Sequence, residues 1–287
     1  MRTPTLTHAA PARDTPSAAM SLLERRVTLS TVGILGALAV VAWFLTIRQA
    51  GAMAGMALGV GQVGTRMPFD MGSAVFMGMW LSMMVAMMLP TVAPMVLVHH
   101  AIVQRRGEGW APTVAFIAGY LLVWTAIGLL PLAAFLAIRN LPPQTGTPRW
   151  VILASAAALL AAGAYQFTPW KRLCLKACRT PFSFIIEHDF GGGTRSALRA
   201  GVSHGAYCLG CCWALMLVLV VVGLMNLAWM GAIALIFLAE KNWRHGVALT
   251  RLAGTAVTLL GVAVLLRPEL LTWLSGGIPP SAMGGHM

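Results

Sequence analysis

The sequence has little charge, and very little of it is negative. Charged residues make up 10% of the 287 residues, with 8 Asp and Glu against 20 Lys and Arg, whereas a typical soluble domain is roughly 25% charged. So few charges cannot cover a water-facing surface, which excludes a soluble domain of useful size. The hydrophobic residues, 58% of the chain, are instead concentrated in several long apolar runs, a pattern typical of segments that cross a bilayer.

Other familiar signatures are missing as well. The sequence contains no phosphate-binding loop and no evident Ser–His–Asp arrangement, so nucleotide-driven pumping and hydrolysis have no positive support. It shows no internal repeat with paired interrupted helices, as many secondary transporters do. The net charge of +12 does not indicate nucleic acid, because membrane proteins concentrate Lys and Arg in cytoplasmic loops, where they meet anionic lipid. Whether the chain is an enzyme stays open.

The apolar runs predict an all-α, polytopic transmembrane helix bundle of about seven spans. The sixth run is short and closely follows the fifth, so a tight hairpin is expected, and six full spans with one re-entrant segment is the rival count. We predict a disordered tail over 1–26, a transmembrane domain over 27–268 and a flexible tail over 269–287. The seven apolar segments lie near 27–47, 72–98, 112–138, 150–168, 205–224, 226–240 and 247–266.

The distribution of basic residues predicts the orientation. Fifteen of the 20 Lys and Arg fall before the first span, or after the second, fourth and sixth. Cytoplasmic loops carry such an excess, so we expect a multi-pass protein with a cytoplasmic N-terminus and an external C-terminus.

All five cysteines cluster in one part of the chain, within a predicted cytoplasmic loop over 169–204 and the start of the fifth span. Helical spacing of three and four residues places neighbouring members on one face, one turn apart. Two facing helical segments would therefore bring several thiols and an imidazole together. The predicted ligands are Cys174, Cys178, His204, Cys208, Cys211 and Cys212.

Thiolates and thioethers are soft ligands that favour monovalent copper, zinc or iron–sulfur clusters, and cytoplasmic thiols stay reduced and free to bind them. The spacing lacks the two C-x₂-C pairs of a structural zinc site and the cysteine runs of ferredoxins. We predict a transition metal, with copper favoured over zinc, and an iron-containing cofactor stays open. Two alternatives remain: the thiols pack as small hydrophobic groups, or Cys174 and Cys178 cycle between dithiol and disulfide.

The second apolar segment is rich in methionine where Leu or Val would satisfy the bilayer equally well. Helical spacing puts two neighbouring rows of thioethers along it, a possible conduit or second site for monovalent copper. The alternative is gap-filling by a flexible side chain. The rows are Met79, Met83 and Met87, and beside them Met84 and Met88.

Four further polar residues are weaker candidates. His99 and His100 follow the methionine-rich segment and suit solvated interfacial positions as well as metal ligation. Glu240 and Lys241 end the sixth segment, where an ionisable side chain is either functional or extends to water.

Several long and unusual strings together resemble a bacterial family of predicted metal-binding integral membrane proteins. The strings are MGMWLSMMVAMMLPT at 77–91, YQFTPWKRLCLKACRTPFSF at 165–184, SHGAYCLGCCWALM at 203–216 and GLMNLAWMGAIALIFLAEK at 223–241. The resemblance implies a bacterial inner-membrane location and metal binding through the Cys and His residues named above.

The predicted function is binding of a soft transition metal for trafficking, sensing or delivery. Possible partners are membrane lipid, a metallochaperone, and a membrane or periplasmic protein that receives the metal. One alternative is a membrane thiol or metal-dependent oxidoreductase, and another is a non-catalytic subunit of a larger membrane complex.

Overall fold

The computed structural model describes residues 18–52, 72–138, 148–180, 192–224 and 226–274. These residues form helices joined by short connections and contain no strand, which confirms the predicted all-α class for this part of the chain. In chain order the helices are α1 Ala18–Ala52, α2 Ser73–Arg105, α3 Ala111–Ile138, α4 Arg149–Tyr165, α5 Pro169–Arg179, α6 Gly193–Val222, α7 Leu227–Asn242, α8 Gly246–Leu266 and α9 Glu269–Leu274.

Each predicted apolar segment lies largely or wholly within a helix, but fewer than seven helices are long enough to cross a bilayer. Five qualify by length and hydropathy among the described residues, namely α1, α2, α3, α6 and α8, and six if α4 and α5 together form one broken span, bent by 63°. A helix needs roughly 20 residues to cross the hydrocarbon core. At 17 and 16 residues, α4 and α7 each fall short, so the count of seven stays a prediction.

Helix boundaries differ from the predicted domain edges in three places. Helix α1 starts at Ala18, so residues 18–26 of the expected disordered tail are helical, in keeping with a run of good helix formers. The expected loop over 169–204 is mostly helical, because α5 and the first turns of α6 occupy it. Helix α9 covers the start of the expected C-terminal tail, and the rest of both tails lies outside the described residues.

Close packing of helices depends on small residues at two interfaces. Gly201 in α6 lies against the Phe116 carbonyl oxygen of α3, where any Cβ atom would overlap with the backbone. Gly163 in α4 likewise approaches Thr258 of α8. Small residues allow helix backbones to approach closely, and these pairs hold α3 on α6 and α4 on α8.

The interior of the bundle is built around α2 and α6. Helix α2 continues through Pro90 and Pro94 and packs against α1, α3 and α7. Helix α6 packs against α3, α4, α5 and α7. The predicted hairpin is present. Helix α6 ends at Val222 and is followed by Gly223, whose φ of 114° suits only glycine. Asn226 then caps α7 by accepting from the Trp229 backbone N–H. Through these contacts α5 and the end of α7 are brought beside the cysteines of α6.

Candidate metal centre

Three of the five cysteines converge at the contact between α5 and α6. The Sγ atoms of Cys178, Cys208 and Cys211 all lie within 4.8 Å of one another. Cys208 and Cys211 are completely buried, whereas Cys178 is only partly buried. All five cysteines are free thiols, so the group is capable of holding a metal ion.

The spacing of the sulfur atoms suits direct coordination. A metal–thiolate bond is about 2.3 Å long, which puts the sulfurs of a trigonal site about 4.0 Å apart. The Sγ atoms of Cys178 and Cys211 are 3.7 Å apart, and the other two separations do not exceed 4.8 Å. Small side-chain rotations would therefore bring all three thiols onto one ion.

Local sequence explains how α5 presents Cys178. Thr168 caps the helix by accepting from the Lys171 backbone N–H, and Pro169 fills the first helical position. From that start, Lys171, Leu175 and Cys178 fall at i, i+4 and i+7 and share a face. Lys171 and Leu175 are buried, so this face lies against the bundle and carries Cys178 toward α6.

A buried ammonium group lies against the sulfur of Cys208. Lys241 donates to Cys208 Sγ at 3.1 Å and to Thr91 Oγ1 at 3.0 Å, and it has no carboxylate partner among the described residues. Tyr120 Oη lies 3.1 Å from the same sulfur. A buried charge requires a counter-charge, and of the two groups hydrogen-bonded to Lys241 among the described residues, the Cys208 thiol is the one that can become an anion.

A second buried lysine fixes the backbone of α6 at the cluster. Lys171 forms an ion pair with Glu240 Oε2 at 2.8 Å and donates to the Cys211 carbonyl oxygen. Arg179 holds the same end of α7 by donating to the Glu240 carbonyl at 2.7 Å. Helices α5, α6 and α7 are thus tied together by polar contacts around the thiols.

The remaining predicted Cys and His ligands lie outside the converging group. Cys212 is adjacent, with its Sγ 3.3 Å from that of Cys211. Cys174 lies one turn before Cys178, packed against Gly210. His204 lies one turn before Cys208 and is buried, with its ring centroid 6.0 Å from those of Phe116 and Tyr120.

The methionines of both predicted rows are buried in the interior. All have at most 3% of their surface exposed, and they belong to the same core as the buried cysteines; they are Met79, Met83, Met84, Met87 and Met88. Thr91 lies one turn beyond Met87 and Met88 and contacts Lys241, so the methionine-rich helix ends near the thiols. A thioether path stays a prediction.

The weaker polar candidates are also buried, which removes the expectation that they extend to water. His99 stacks on Phe116 at 4.9 Å between ring centroids. His100 stacks on Trp110 at 3.9 Å, and its Nδ1 lies 2.9 Å from Thr113 Oγ1. Glu240 and Lys241 are 1% and 7% exposed, so both lie inside the protein beside the cysteines. A further polar cluster in the sequence, formed by Glu187, His188 and Asp189, lies outside the described residues.

Three polar residues of the centre are absent from the predicted ligand set. No sequence pattern marks Tyr120 or Thr91 as part of a site, because single hydroxyl groups in apolar helices are common. Lys171 is one of the fifteen basic residues that predict the orientation, yet it is completely buried. Its spacing of seven residues from Cys178 is the pattern that places both on one face.

One comparison with known proteins identifies a metal-related family. A family model described as a copper chaperone, PpoB2, matches residues 77–264, well over half of the chain and all the cysteines. No curated protein and no solved structure matches the chain.

Proposed function

This chain belongs to the PpoB2 copper chaperone family, and we propose that it binds copper(I) through Cys178, Cys208 and Cys211 and delivers it to a partner protein. The observation that carries the proposal is the convergence of these three Sγ atoms within 4.8 Å of one another. Thiolates are soft ligands that select monovalent copper. Copper is the cargo of the site.

Charge favours a resident thiolate at Cys208. The Lys241 ammonium stabilises the anionic form of that sulfur through a charge-assisted hydrogen bond, while Lys171 and Glu240 neutralise each other. Copper(I) bound by two thiolates beside one lysine, with the third cysteine kept as a neutral thiol, leaves the buried centre without net charge. Burial of a neutral assembly costs less than burial of a charged one.

Differences in burial give the order in which the ligands act. Cys178 is the only member of the group that is partly exposed, so incoming copper meets it first. Cys211 lies 3.7 Å from it and takes the ion inward, and Cys208 completes the site. Each step forms one copper–sulfur bond before another breaks, and each newly bound thiol releases its proton to solvent or to the departing ligand.

Delivery reverses this order toward a partner that offers its own soft ligands. A metallochaperone, or a membrane or periplasmic protein that receives copper, fits this chemistry. The methionine-rich α2 would supply thioethers as a conduit or second site, since exchange between soft ligands keeps the ion out of water.

We place the protein in the bacterial inner membrane as a multi-pass bundle, with its N-terminus in the cytoplasm and its C-terminus outside. The apolar helices support this location, and the asymmetry of Lys and Arg supports the orientation. Reporter domains fused to either terminus test it, because a reporter that is active only outside the cytoplasm should work at the C-terminus alone. Activity at both ends, or at neither, contradicts the assignment.

The test of copper binding is the metal content of the full-length protein purified in detergent. We expect near-stoichiometric copper, retained by Cys174→Ser and lost from Cys178→Ser, Cys208→Ser and Cys211→Ser. Cys174 is the matched control, because it lies on the same helix as Cys178 but outside the group. Zinc in place of copper would reject the metal assignment. Protein that stays metal-free after reconstitution with copper(I) would reject the site.

A redox role is the second candidate, and one distance favours it. Cys178 and Cys211 have Sγ atoms 3.7 Å apart, and rotation to about 2.05 Å would form a disulfide between α5 and α6. That step removes two electrons and two protons, which a quinone could accept. Titration of free thiols before and after addition of a quinone distinguishes the roles. A carrier keeps its thiol count, whereas a redox enzyme loses two thiols as the quinone is reduced.

A further inference from the structure

A separate cavity lies between α5, α8 and the segment that joins α4 to α5. Its volume is about 250 Å³, and none of its lining residues belongs to the cysteine group. The lining combines buried polar groups, two basic side chains and apolar side chains: Gln166, Phe167, Arg172, Leu175, Val247, Thr250 and Arg251.

The inner wall of this cavity holds an amide with no partner. Gln166 is 1% exposed, and neither its Oε1 nor its Nε2 forms a hydrogen bond with any residue that the structure describes. A buried primary amide offers two donors and an acceptor, and buried polar groups without partners are rare. The amide therefore points to a ligand that can accept from it and donate to it.

Two arginines make this cavity electropositive. Arg172 on α5 and Arg251 on α8 both line it. Neither forms an ion pair with a carboxylate among the residues described. Guanidinium groups recognise phosphate through paired, charge-assisted hydrogen bonds, so the basic rim and the amide suit one phosphate-bearing ligand.

The rim also carries exposed apolar side chains. Phe167 and Val247 are 48% and 42% exposed and border the same opening as the arginines. An inorganic phosphate ion would gain nothing from these contacts, whereas a lipid could lay an acyl chain across them.

We propose that this cavity binds a phosphate group, with Arg172 and Arg251 as the charged contacts and the Gln166 amide as the inner contact. The exposed apolar rim favours the headgroup of an anionic phospholipid such as phosphatidylglycerol, whose glycerol hydroxyls can donate to Gln166 Oε1. The lipid source rests on the membrane location proposed above, whereas recognition of phosphate does not.

The test is binding to the delipidated, full-length protein in detergent, followed by native mass spectrometry and thermal unfolding. The probes are phosphatidylglycerol, phosphatidylcholine and inorganic phosphate. We expect phosphatidylglycerol to bind and stabilise, and its affinity to fall about tenfold or more in Arg172→Gln/Arg251→Gln. The matched control is Arg195→Gln/Arg199→Gln, which removes two exposed arginines outside the cavity.

Gln166→Leu keeps the proposal testable if the arginine variant folds poorly. Leucine has a similar volume and no unpaired polar atoms, so the unliganded protein should unfold at the same temperature or higher. The stabilisation by phosphatidylglycerol should nevertheless shrink. If unliganded Gln166→Leu instead unfolds at a clearly lower temperature than the unliganded native protein, the amide has a structural role. That result would overturn its assignment as a ligand contact.

The probes identify the ligand. Binding of phosphatidylglycerol without inorganic phosphate assigns the cavity to a lipid, and saturable binding of both assigns it to phosphate in general. If both double-arginine variants lose the same affinity for phosphatidylglycerol, the binding depends on overall surface charge and not on this cavity. That result, or no response to any probe, overturns the proposed site.

Discussion

Replacing Lys241 with Met isolates the contribution of its charge to copper binding. The variant removes the 3.1 Å hydrogen bond to Cys208 Sγ and keeps most of the side-chain volume. A hydrogen bond to a charged group contributes about 1.5–3 kcal/mol. The expected loss of copper affinity is therefore roughly 10- to 150-fold. Once the lysine is removed, Cys208 can take up a proton and become a neutral thiol, so no buried charge is left unpaired and the copper-free protein should keep most of its stability.

The assay is competition for copper(I) against a coloured chelator, with thermal unfolding of the copper-free protein measured in parallel. Lys176→Met is the matched control, because Lys176 is an exposed lysine on α5 beside the cysteines. Wild-type affinity in Lys241→Met would refute the role of the charge. Weaker binding together with a large loss of stability would show that Lys241 acts by holding the helices together.

Four further substitutions test the helix packing around the site and the thioether path. Glu240→Gln should cost about 3–5 kcal/mol of unfolding free energy in chemical denaturation, because its fully buried lysine partner loses its counter-charge. Gly201→Ala should cost about 1–3 kcal/mol through overlap with the Phe116 carbonyl, whereas Gly231→Ala, which has open space, should stabilise α7 by up to about 1 kcal/mol. Met88→Leu should change stability by less than about 1.5 kcal/mol and slow copper uptake in a loading time course without changing the final copper content. An unchanged rate would contradict the thioether path.

Helix positions were largely predictable from the sequence, because long apolar runs dominate it. The count of spans was less predictable. Hydropathy marks apolar segments but does not show that α4 ends at Tyr165 and that the chain turns by 63° into α5. The signal for that turn is local: Thr168 and Pro169 form a helix start, which a search for long apolar windows passes over.

The sequence predicts the region in which the thiols converge but not which of them lie together. Spacing along α6 places Cys208 one turn from both Cys211 and His204. Which of these neighbours shares a site depends on the helix packed against them. Helix α5 presents Cys178 to the two thiols, whereas α3 presents Phe116 and Tyr120 to the imidazole. A single sequence does not show which helix packs against each of these residues.

The number of converging sulfurs bears on the choice between copper and zinc. Charge alone does not decide, since three thiolates with Lys241 would also neutralise a divalent ion. Structural zinc sites are closed by four ligands in a tetrahedron, whereas copper(I) is satisfied in linear or trigonal sites of soft ligands. Here three sulfurs lie within 4.8 Å of one another among the residues described, and a fourth, Cys212 Sγ, lies 3.3 Å from that of Cys211. The number of sulfurs therefore does not separate the two metals by itself. Lys241 and Tyr120 contact the sulfur of Cys208 from α7 and α3, and Cys178 is partly exposed. A buried cation at one thiol and partial exposure of another favour an ion that can be passed on rather than one that is locked in place, in agreement with a chaperone of copper.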